Sequence, residues 1–90
     1  MEERDIQAVL EIEELCFTSR WSETMLRYEM SENEFASFYV YEAANEIVGF
    51  IDFWITFEEC QLAQIAVHPS HRRKGIADLM MQKMESIANQ

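Results

Sequence analysis

Apolar residues recur at intervals of three and four positions in the first third of the chain, which predicts two amphipathic helices. The first is expected over residues 5–17, with Asp5 as its N-cap, because a side-chain oxygen there can accept from first-turn N–H groups. Its apolar side comprises Ile6, Val9, Leu10, Ile12, Leu15 and Cys16. Three glutamates are expected to face solvent: Glu11, Glu13 and Glu14. Ser22 is the predicted cap of the second helix, which ends at a polar break over residues 31–34.

After this break the period of the pattern changes from that of a helix to that of a strand. Residues 35–43 are rich in aromatic and β-branched side chains, and residues 46–57 alternate between two largely apolar faces. A third strand is predicted over residues 60–67 and ends before Pro69, since proline has no N–H group for a strand ladder. Helical spacing returns in residues 75–89. The predicted order is ααβββα, an α+β (α/β) fold in which an antiparallel meander precedes the last helix.

Composition narrows the class of protein. The chain has 90 residues, enough for one domain, with 17 acidic against 7 basic side chains and a net charge of −10. That charge disfavours a nucleic-acid partner, because a phosphate backbone requires a basic face. No apolar run approaches the ~20 residues of a membrane span, and the charged N-terminus is unlike a signal peptide, so we expect no membrane partner and a cytoplasmic location.

Cys16 and Cys60 are expected to be reduced thiols, with a disulfide between them as the open alternative.

The basic residues are not spread evenly along the chain. Residues 1–59 contain 15 acids and 3 bases, a net charge of −12, whereas residues 60–90 contain 2 acids and 4 bases, a net charge of +2. Three of the seven bases are consecutive, namely Arg72, Arg73 and Lys74. Such a cluster in an acidic chain indicates a local anion site.

These three bases lie in a loop that leads into the last helix. The first turn of a helix has unpaired N–H groups and the positive end of the helix dipole, so anions bind there. Gly75 and Ala77 would leave those N–H groups uncovered for a ligand such as a phosphate. An ordinary helix start with surface bases is the open alternative. The spacing excludes both the G-x-G-x-x-G dinucleotide motif and the P-loop.

The passage LAQIAVHPSHRRKGIADLMMQKM, residues 62–84, resembles motif A of the GNAT N-acetyltransferase superfamily, in which a strand is followed by a loop of the form R/Q-x-x-G-x-G/A and a helix. The resemblance implies that backbone N–H groups of residues 72–77 hold the pyrophosphate of acetyl-CoA and that residues 65–67 pair with its pantetheine arm. The implied cofactor-binding residues are Ile65, Ala66, Val67, Arg72, Arg73, Lys74, Gly75, Ile76, Ala77 and Asp78. Asp78 departs from the pattern. An acid beside the loop would repel phosphate oxygens or compete with them for the same N–H donors.

A second segment, CFTSRWSETML over residues 16–26, is similar to the ribosomal-protein-alanine N-acetyltransferase branch of that family. The whole resemblance implies the acetyl-CoA-binding part of an N-acetyltransferase that transfers acetyl to an amine, with a protein N-terminal amino group as a candidate acceptor. The alternative is a non-catalytic GNAT-derived module that dimerises or binds another protein. Residues 1–90 are expected to form one partial domain, because family members have about 150 residues, with a first strand and a C-terminal half that have no counterpart here.

The missing parts of the family pattern leave the catalytic residues unassigned. Some members carry a base on the strand before the motif A loop, but the matching residue is Gln61, whose amide cannot take a proton, and Glu59 is expected to be a solvated turn residue. His68 and His71 are expected to be loop residues rather than metal ligands, so no metal site is predicted. An unpaired edge on the strand over residues 60–67 predicts a partner, either a second copy in a homodimer or a complementing C-terminal fragment.

Overall fold

The computed structural model describes residues 3–17, 21–56 and 59–89. Its helices and strands are α1 (Ile6–Cys16), α2 (Glu23–Ser31), β1 (Ala36–Ala43), β2 (Glu46–Ile55), β3 (Cys60–Val67) and α3 (Ile76–Ala88). Short 3₁₀ turns precede α1 and α3, at Glu3–Asp5 and Pro69–His71. The predicted order ααβββα is confirmed; Phe57, the last residue of the predicted second strand, lies outside the described residues. None of the helices in the described ranges is long and apolar enough to cross a membrane.

The two N-terminal helices start in different ways. At α2, the Ser22 hydroxyl accepts a hydrogen bond from the Met25 N–H at 3.2 Å, as predicted. At α1 the predicted cap is wrong, because Asp5 makes no side-chain cap hydrogen bond. Its φ of −88° and ψ of −11° continue the preceding 3₁₀ turn, whereas a capping residue needs an extended backbone.

The three strands form an antiparallel sheet in the order β1-β2-β3, with β2 in the centre. Asp52 of β2 pairs with Phe38 on one side and with Gln64 on the other. The register shifts once in each ladder, and in the second ladder the shift lies between Asp52 and Phe53. Within the described residues no strand pairs with the outer edge of β3, which is the unpaired edge expected from the sequence.

Helices cover both faces of the sheet. On one face α1 and α2 pack around Val9, Ile12, Leu26, Phe38, Phe50 and Ala66. On the other face α3 packs around Val48, Ile51, Phe53, Val67, Ile76 and Met80. Alternation along a strand places successive side chains on opposite faces, so Ala66 and Val67 belong to different clusters. The end of β3 is therefore held from both faces.

The interior also contains carboxyl groups. The prediction that Glu13 faces solvent is wrong, since it is 0% exposed. The Trp21 N–H donates to Glu13 Oε2 at 3.2 Å, and burial raises the pKa of Glu13 above its usual range. Glu29 and Asp52 are also buried, and the Trp54 indole N–H donates to Glu29. The face of α1 that carries Glu13 is therefore turned toward the protein interior.

The two cysteines are free thiols. The Cys16 Sγ atom lies 3.5 Å from the carbonyl oxygen of Val67, at the end of β3. Cys60 begins the same strand, so roughly 23 Å of extended chain lies between Cys60 and Val67, the residue that Cys16 contacts. This distance is far beyond the span of a disulfide, which excludes a Cys16–Cys60 bond in this fold.

Candidate anion-binding site between strand β3 and helix α3

The loop between β3 and α3 is anchored by His68. The His68 N–H donates to the carbonyl of Val48 in β2 at 2.7 Å. Its Nδ1 accepts from the Ser70 N–H at 3.1 Å, and its carbonyl accepts from the His71 N–H at 2.8 Å. His68 therefore organises the loop. In the described part of the chain, no group of three or more histidine, cysteine, aspartate or glutamate side chains is placed to hold a metal.

Gly75 is the N-cap of α3 and has a left-handed backbone, with φ of 77° and ψ of 11°. Its carbonyl accepts the first hydrogen bond of the helix from the Leu79 N–H at 3.1 Å. A Cβ atom placed on Gly75 would meet no atom within 4 Å, so the space above the helix start is open. The N–H groups of the first turn, which begins at Ile76, are accessible from this space.

Two neighbouring concavities lie at this junction. The loop concavity, over the helix start, has a volume of about 220 Å³ and is lined by Val67, His71, Arg72, Arg73, Gly75, Ile76, Ala77 and Asp78. The strand concavity, along the end of β3, has a volume of about 330 Å³ and is lined by Cys16, Phe17, Ile65, Ala66, Val67, Arg72 and Ala77. Val67, Arg72 and Ala77 line both, so the two concavities adjoin.

Nine of the ten residues predicted from the sequence line one or both concavities. The exception is Lys74, whose Nζ lies 3.4 Å from His71 Nδ1. Cys16, Phe17 and His71 also line the concavities but were not predicted. Cys16 precedes Arg72 by 56 residues, so no local motif could connect them. The only sequence signal for Cys16 was its place on the apolar side of the first helix.

The loop concavity has a positive rim. Arg72, Arg73 and Lys74 are exposed, and Arg73 has a left-handed backbone with φ of 67°. Asp78 lies in the first turn of α3, where the helix dipole favours its carboxylate and the carboxylate opposes an incoming anion. Three cations and one carboxylate around a helix N-terminus favour a ligand with more than one negative charge.

The side chain of Arg72 lies between the two concavities. Its Nε–H donates to the carbonyl oxygen of Val67 at 3.3 Å. Its Nη2 lies 3.3 Å from the Cys16 Sγ atom, which itself donates to the same carbonyl at 3.5 Å. These contacts connect the last turn of α1, the end of β3 and the loop.

Other concavities of the described residues are less suited to an anion. One of about 530 Å³ is lined by four acidic side chains, Asp5, Glu11, Glu42 and Glu46, together with Arg4, His68, His71 and uncharged residues. Another of about 340 Å³ beside α2 is lined by Trp21, Thr24, Met25, Tyr28 and Glu29. Only the junction of β3 and α3 combines a cationic rim with a helix N-terminus among these concavities.

The residues considered as a catalytic base lie at the other end of β3. Gln61 Nε2 donates to Glu59 Oε1 at 3.0 Å, and both side chains are exposed. Roughly 13 Å of extended strand separates Gln61 from Ile65, so these side chains are remote from the strand concavity. Glu59 is exposed to solvent, as expected.

The chain is similar to known proteins. The sequence profile of the acetyltransferase (GNAT) family matches residues 6–90. A protein of Bacillus subtilis (strain 168), named as a candidate ribosomal protein bS18-alanine N-acetyltransferase, is 32% identical over 76 residues. The match covers 84% of this chain and 50% of that protein, so the chain spans about half the length of this relative.

Solved structures share the same fold. The crystal structure of the ribosomal-protein-S18-alanine N-acetyltransferase from Escherichia coli matches 98% of this chain and 56% of its own, with a TM-score of 0.85 and 20% identity. The PaiA N-acetyltransferase from Thermoplasma acidophilum, in complex with coenzyme A, matches 99% of this chain and 69% of its own, with a TM-score of 0.87 and 16% identity. These likenesses extend over the strand, loop and helix that form the two concavities.

Proposed function

Because the chain belongs to the acetyltransferase (GNAT) family, we propose that it forms the acetyl-CoA-binding part of an N-acetyltransferase, which transfers the acetyl group to an amine. The observation that carries this proposal is the pair of adjoining concavities where β3 ends and α3 begins. One concavity offers N–H groups with cations, and the other offers the end of an edge strand. Acetyl-CoA has a pyrophosphate for the first and an amide-bearing arm for the second.

The pyrophosphate is proposed to lie in the loop concavity. Its oxygens would accept from first-turn N–H groups of α3, between Gly75 and Asp78, and would be balanced by the charges of Arg72, Arg73 and Lys74. The left-handed backbone of Gly75 turns the chain into the helix without covering those N–H groups. The Asp78 carboxylate reduces the net attraction without blocking the space above Gly75.

The pantetheine arm is proposed to lie in the strand concavity. Ile65, Ala66 and Val67 line it from the end of β3. Alternate residues of an edge strand direct their N–H and C=O groups away from the neighbouring strand, so an extended amide chain can pair with them. Phe17 and Ile65 supply apolar surface for the methylene groups of the arm.

Bound acetyl-CoA supplies the acetyl group as a thioester. The nitrogen lone pair of the acceptor amine forms the new C–N bond, the C–S bond breaks, and the proton lost by the amine accompanies the departing CoA sulfur. The residues of this chain bind and orient the thioester in the strand concavity. We assign no base or acid to the chain.

For the acceptor we propose a protein N-terminal amino group. The similarity to the Bacillus subtilis protein, whose name specifies the alanine of ribosomal protein bS18, supports this choice. The net charge of −12 over residues 1–59 would also attract a basic acceptor protein. We further propose a cytoplasmic location and completion of the outer edge of β3, by a second copy or by a C-terminal segment.

The second candidate function is a non-catalytic module that dimerises or binds another protein through this edge. The unpaired edge of β3 and the apolar side chain of Leu62 on that strand, which is 42% exposed, favour it. The mass of the purified chain in solution tests this edge. A dimer supports strand pairing between copies, whereas a folded monomer argues against it.

Isothermal titration with acetyl-CoA tests the cofactor proposal. The native chain is expected to bind, and no heat change at high micromolar ligand would overturn the proposal. Gly75→Val is expected to abolish binding, since its branched side chain would project over the first-turn N–H groups. Gly75→Ala is the control for placing a Cβ atom on this left-handed backbone, and with its smaller side chain it should retain part of the affinity. Native affinity in Gly75→Val would show that the loop concavity is not the pyrophosphate site.

Acetyl transfer is tested separately. Peptides with basic N-terminal sequences are incubated with acetyl-CoA and the chain, with and without a C-terminal fragment of a relative, and acetylation is measured by mass spectrometry. Transfer only with the fragment would support a complementing half. Acetyl-CoA binding without transfer in either mixture would support the non-catalytic alternative.

A further inference from the structure

Arg72 is held in a specific position although it is an exposed residue. Its guanidinium bonds back to Val67, the residue at the end of β3, and touches the thiol of Cys16 in the last turn of α1. The Cys16 thiol is directed at the same Val67 carbonyl. The three groups form a closed triangle with distances of 3.3, 3.3 and 3.5 Å.

This triangle stands at the boundary between the loop concavity and the strand concavity. Arg72 and Val67 line both, and Cys16 lines the strand concavity. A ligand that fills both concavities must pass this boundary. The Val67 carbonyl, at the end of the edge strand, is already occupied by the Arg72 Nε–H and the Cys16 thiol.

We propose that the Arg72 side chain, held in place by its contact with Cys16, closes the passage between the two concavities in the free chain and moves away when acetyl-CoA binds. We call this side chain the latch. The inference rests on the proposed function. The guanidinium exchanges a neutral carbonyl and a thiol for a phosphate, whose opposite charge attracts it and whose oxygens can accept two parallel N–H bonds. Release of Arg72 also frees one acceptor position of the Val67 carbonyl, beside the Cys16 thiol, for an N–H group of the pantetheine arm. Cys16 is therefore a positioning residue for Arg72.

If the latch is closed in the free chain, the affinity for acetyl-CoA is lower than it would be with the latch open. A ligand that requires the open state binds with an affinity reduced by the fraction of molecules that are open. The Cys16–Arg72 contact contributes about as much as one hydrogen bond, so its removal is expected to tighten acetyl-CoA binding by about two- to tenfold. If Cys16 had only a packing role, its truncation to alanine would weaken acetyl-CoA binding or leave the affinity unchanged.

The first measurement uses the free chain and needs no ligand. Hydrogen exchange at arginine Nε–H groups is followed by NMR, with Arg73 as the exposed internal reference. The Arg72 Nε–H is expected to exchange several times more slowly than that of Arg73. Cys16→Ala should remove part of this protection, whereas Cys60→Ala, at the far end of β3, should not. Equal exchange at Arg72 and Arg73 in the native chain would overturn the latch.

The second measurement adds acetyl-CoA. By titration calorimetry, Cys16→Ala is expected to bind about two- to tenfold more tightly than the native chain, and Cys16→Ser, which keeps a polar partner for Arg72, should bind less tightly than Cys16→Ala. Loop amides and the Arg72 Nε–H should shift together in NMR spectra. If loop amides shift while the Arg72 signal does not move, or if Cys16→Ala has native affinity, the latch is wrong although the proposed function stands. If neither variant nor the native chain binds, the proposed function fails and ligand-driven opening fails with it.

Discussion

Replacement of Asp52 by asparagine is expected to remove most of the pH dependence of stability near neutrality. Asp52 is 0% exposed in the central strand, and among the described residues no N–H or O–H group of another residue donates to its carboxylate oxygens. Burial raises the pKa of Asp52 to about 8, and the nearby carboxylate of Glu29 acts in the same direction. Glu29 in turn accepts hydrogen bonds from the Trp54 indole N–H and from the Asn33 side-chain amide.

The sign of the effect follows from the two states of Asp52. The pKa is about 8 in the folded chain and 3.8 in an unperturbed aspartate, so between these values the folded chain holds a proton that the unfolded chain releases. The free energy of unfolding is therefore highest at low pH for this group and falls as pH rises toward 8. The largest slope is about 1.4 kcal/mol per pH unit, or about 3 kcal/mol from pH 5 to pH 7. That loss is large against the 5–15 kcal/mol of ordinary domains.

Urea unfolding at pH 5, 6 and 7, followed by tryptophan fluorescence, measures this dependence. The Asp52→Asn variant is expected to gain stability relative to the native chain as pH rises, since the amide keeps the shape of the acid and cannot ionise. The difference between the two chains isolates Asp52 from other titrating groups, including the buried Glu13. Asp78→Asn, at an exposed acid, is the control and should follow the native slope. A difference between Asp52→Asn and the native chain that does not change with pH would refute the reasoning.

Three further predictions concern backbone, cap and charge. Gly49→Ala is expected to lower the free energy of unfolding by about 1–3 kcal/mol, because its Cβ would lie 3.1 Å from the carbonyl oxygen of Ala66; an unchanged urea midpoint would contradict this. Ser22→Ala is expected to destabilise the chain by about 1 kcal/mol in thermal unfolding, and Ser22→Asp, which can still cap α2, should recover most of the loss. Lys74→Ala is expected to weaken acetyl-CoA binding by less than about tenfold and to reduce its salt dependence, because Lys74 acts on the ligand as a solvated charge; salt dependence equal to that of the native chain would exclude this role.

The order of elements could be predicted because the apolar period changes sharply from helix to strand after residue 34. The loop of the candidate site could be predicted because its residues are contiguous, from Arg72 onward. The burial of Glu13 could not be predicted, since helical spacing shows which residues of α1 share a face but not how far that face turns toward β3. The contact of Cys16 with Arg72 bridges 56 residues and depends on the packing of α1 against the sheet. Local patterns therefore specify the elements and the loop, and tertiary packing decides which side chains meet there.

The meander has a consequence for the speed of folding. Strands that pair in this sheet are also neighbours in the sequence, and β1 is joined to β2 by Ala44 and Asn45 alone, both with left-handed backbones. Closing so short a loop loses little chain entropy, and structures with local pairings cross their folding barrier faster than those with distant ones. The sheet can therefore assemble early, and α3 then docks onto a surface that already exists. On this route the cationic loop adopts its folded conformation last, after β3, the strand that precedes it, has paired with β2.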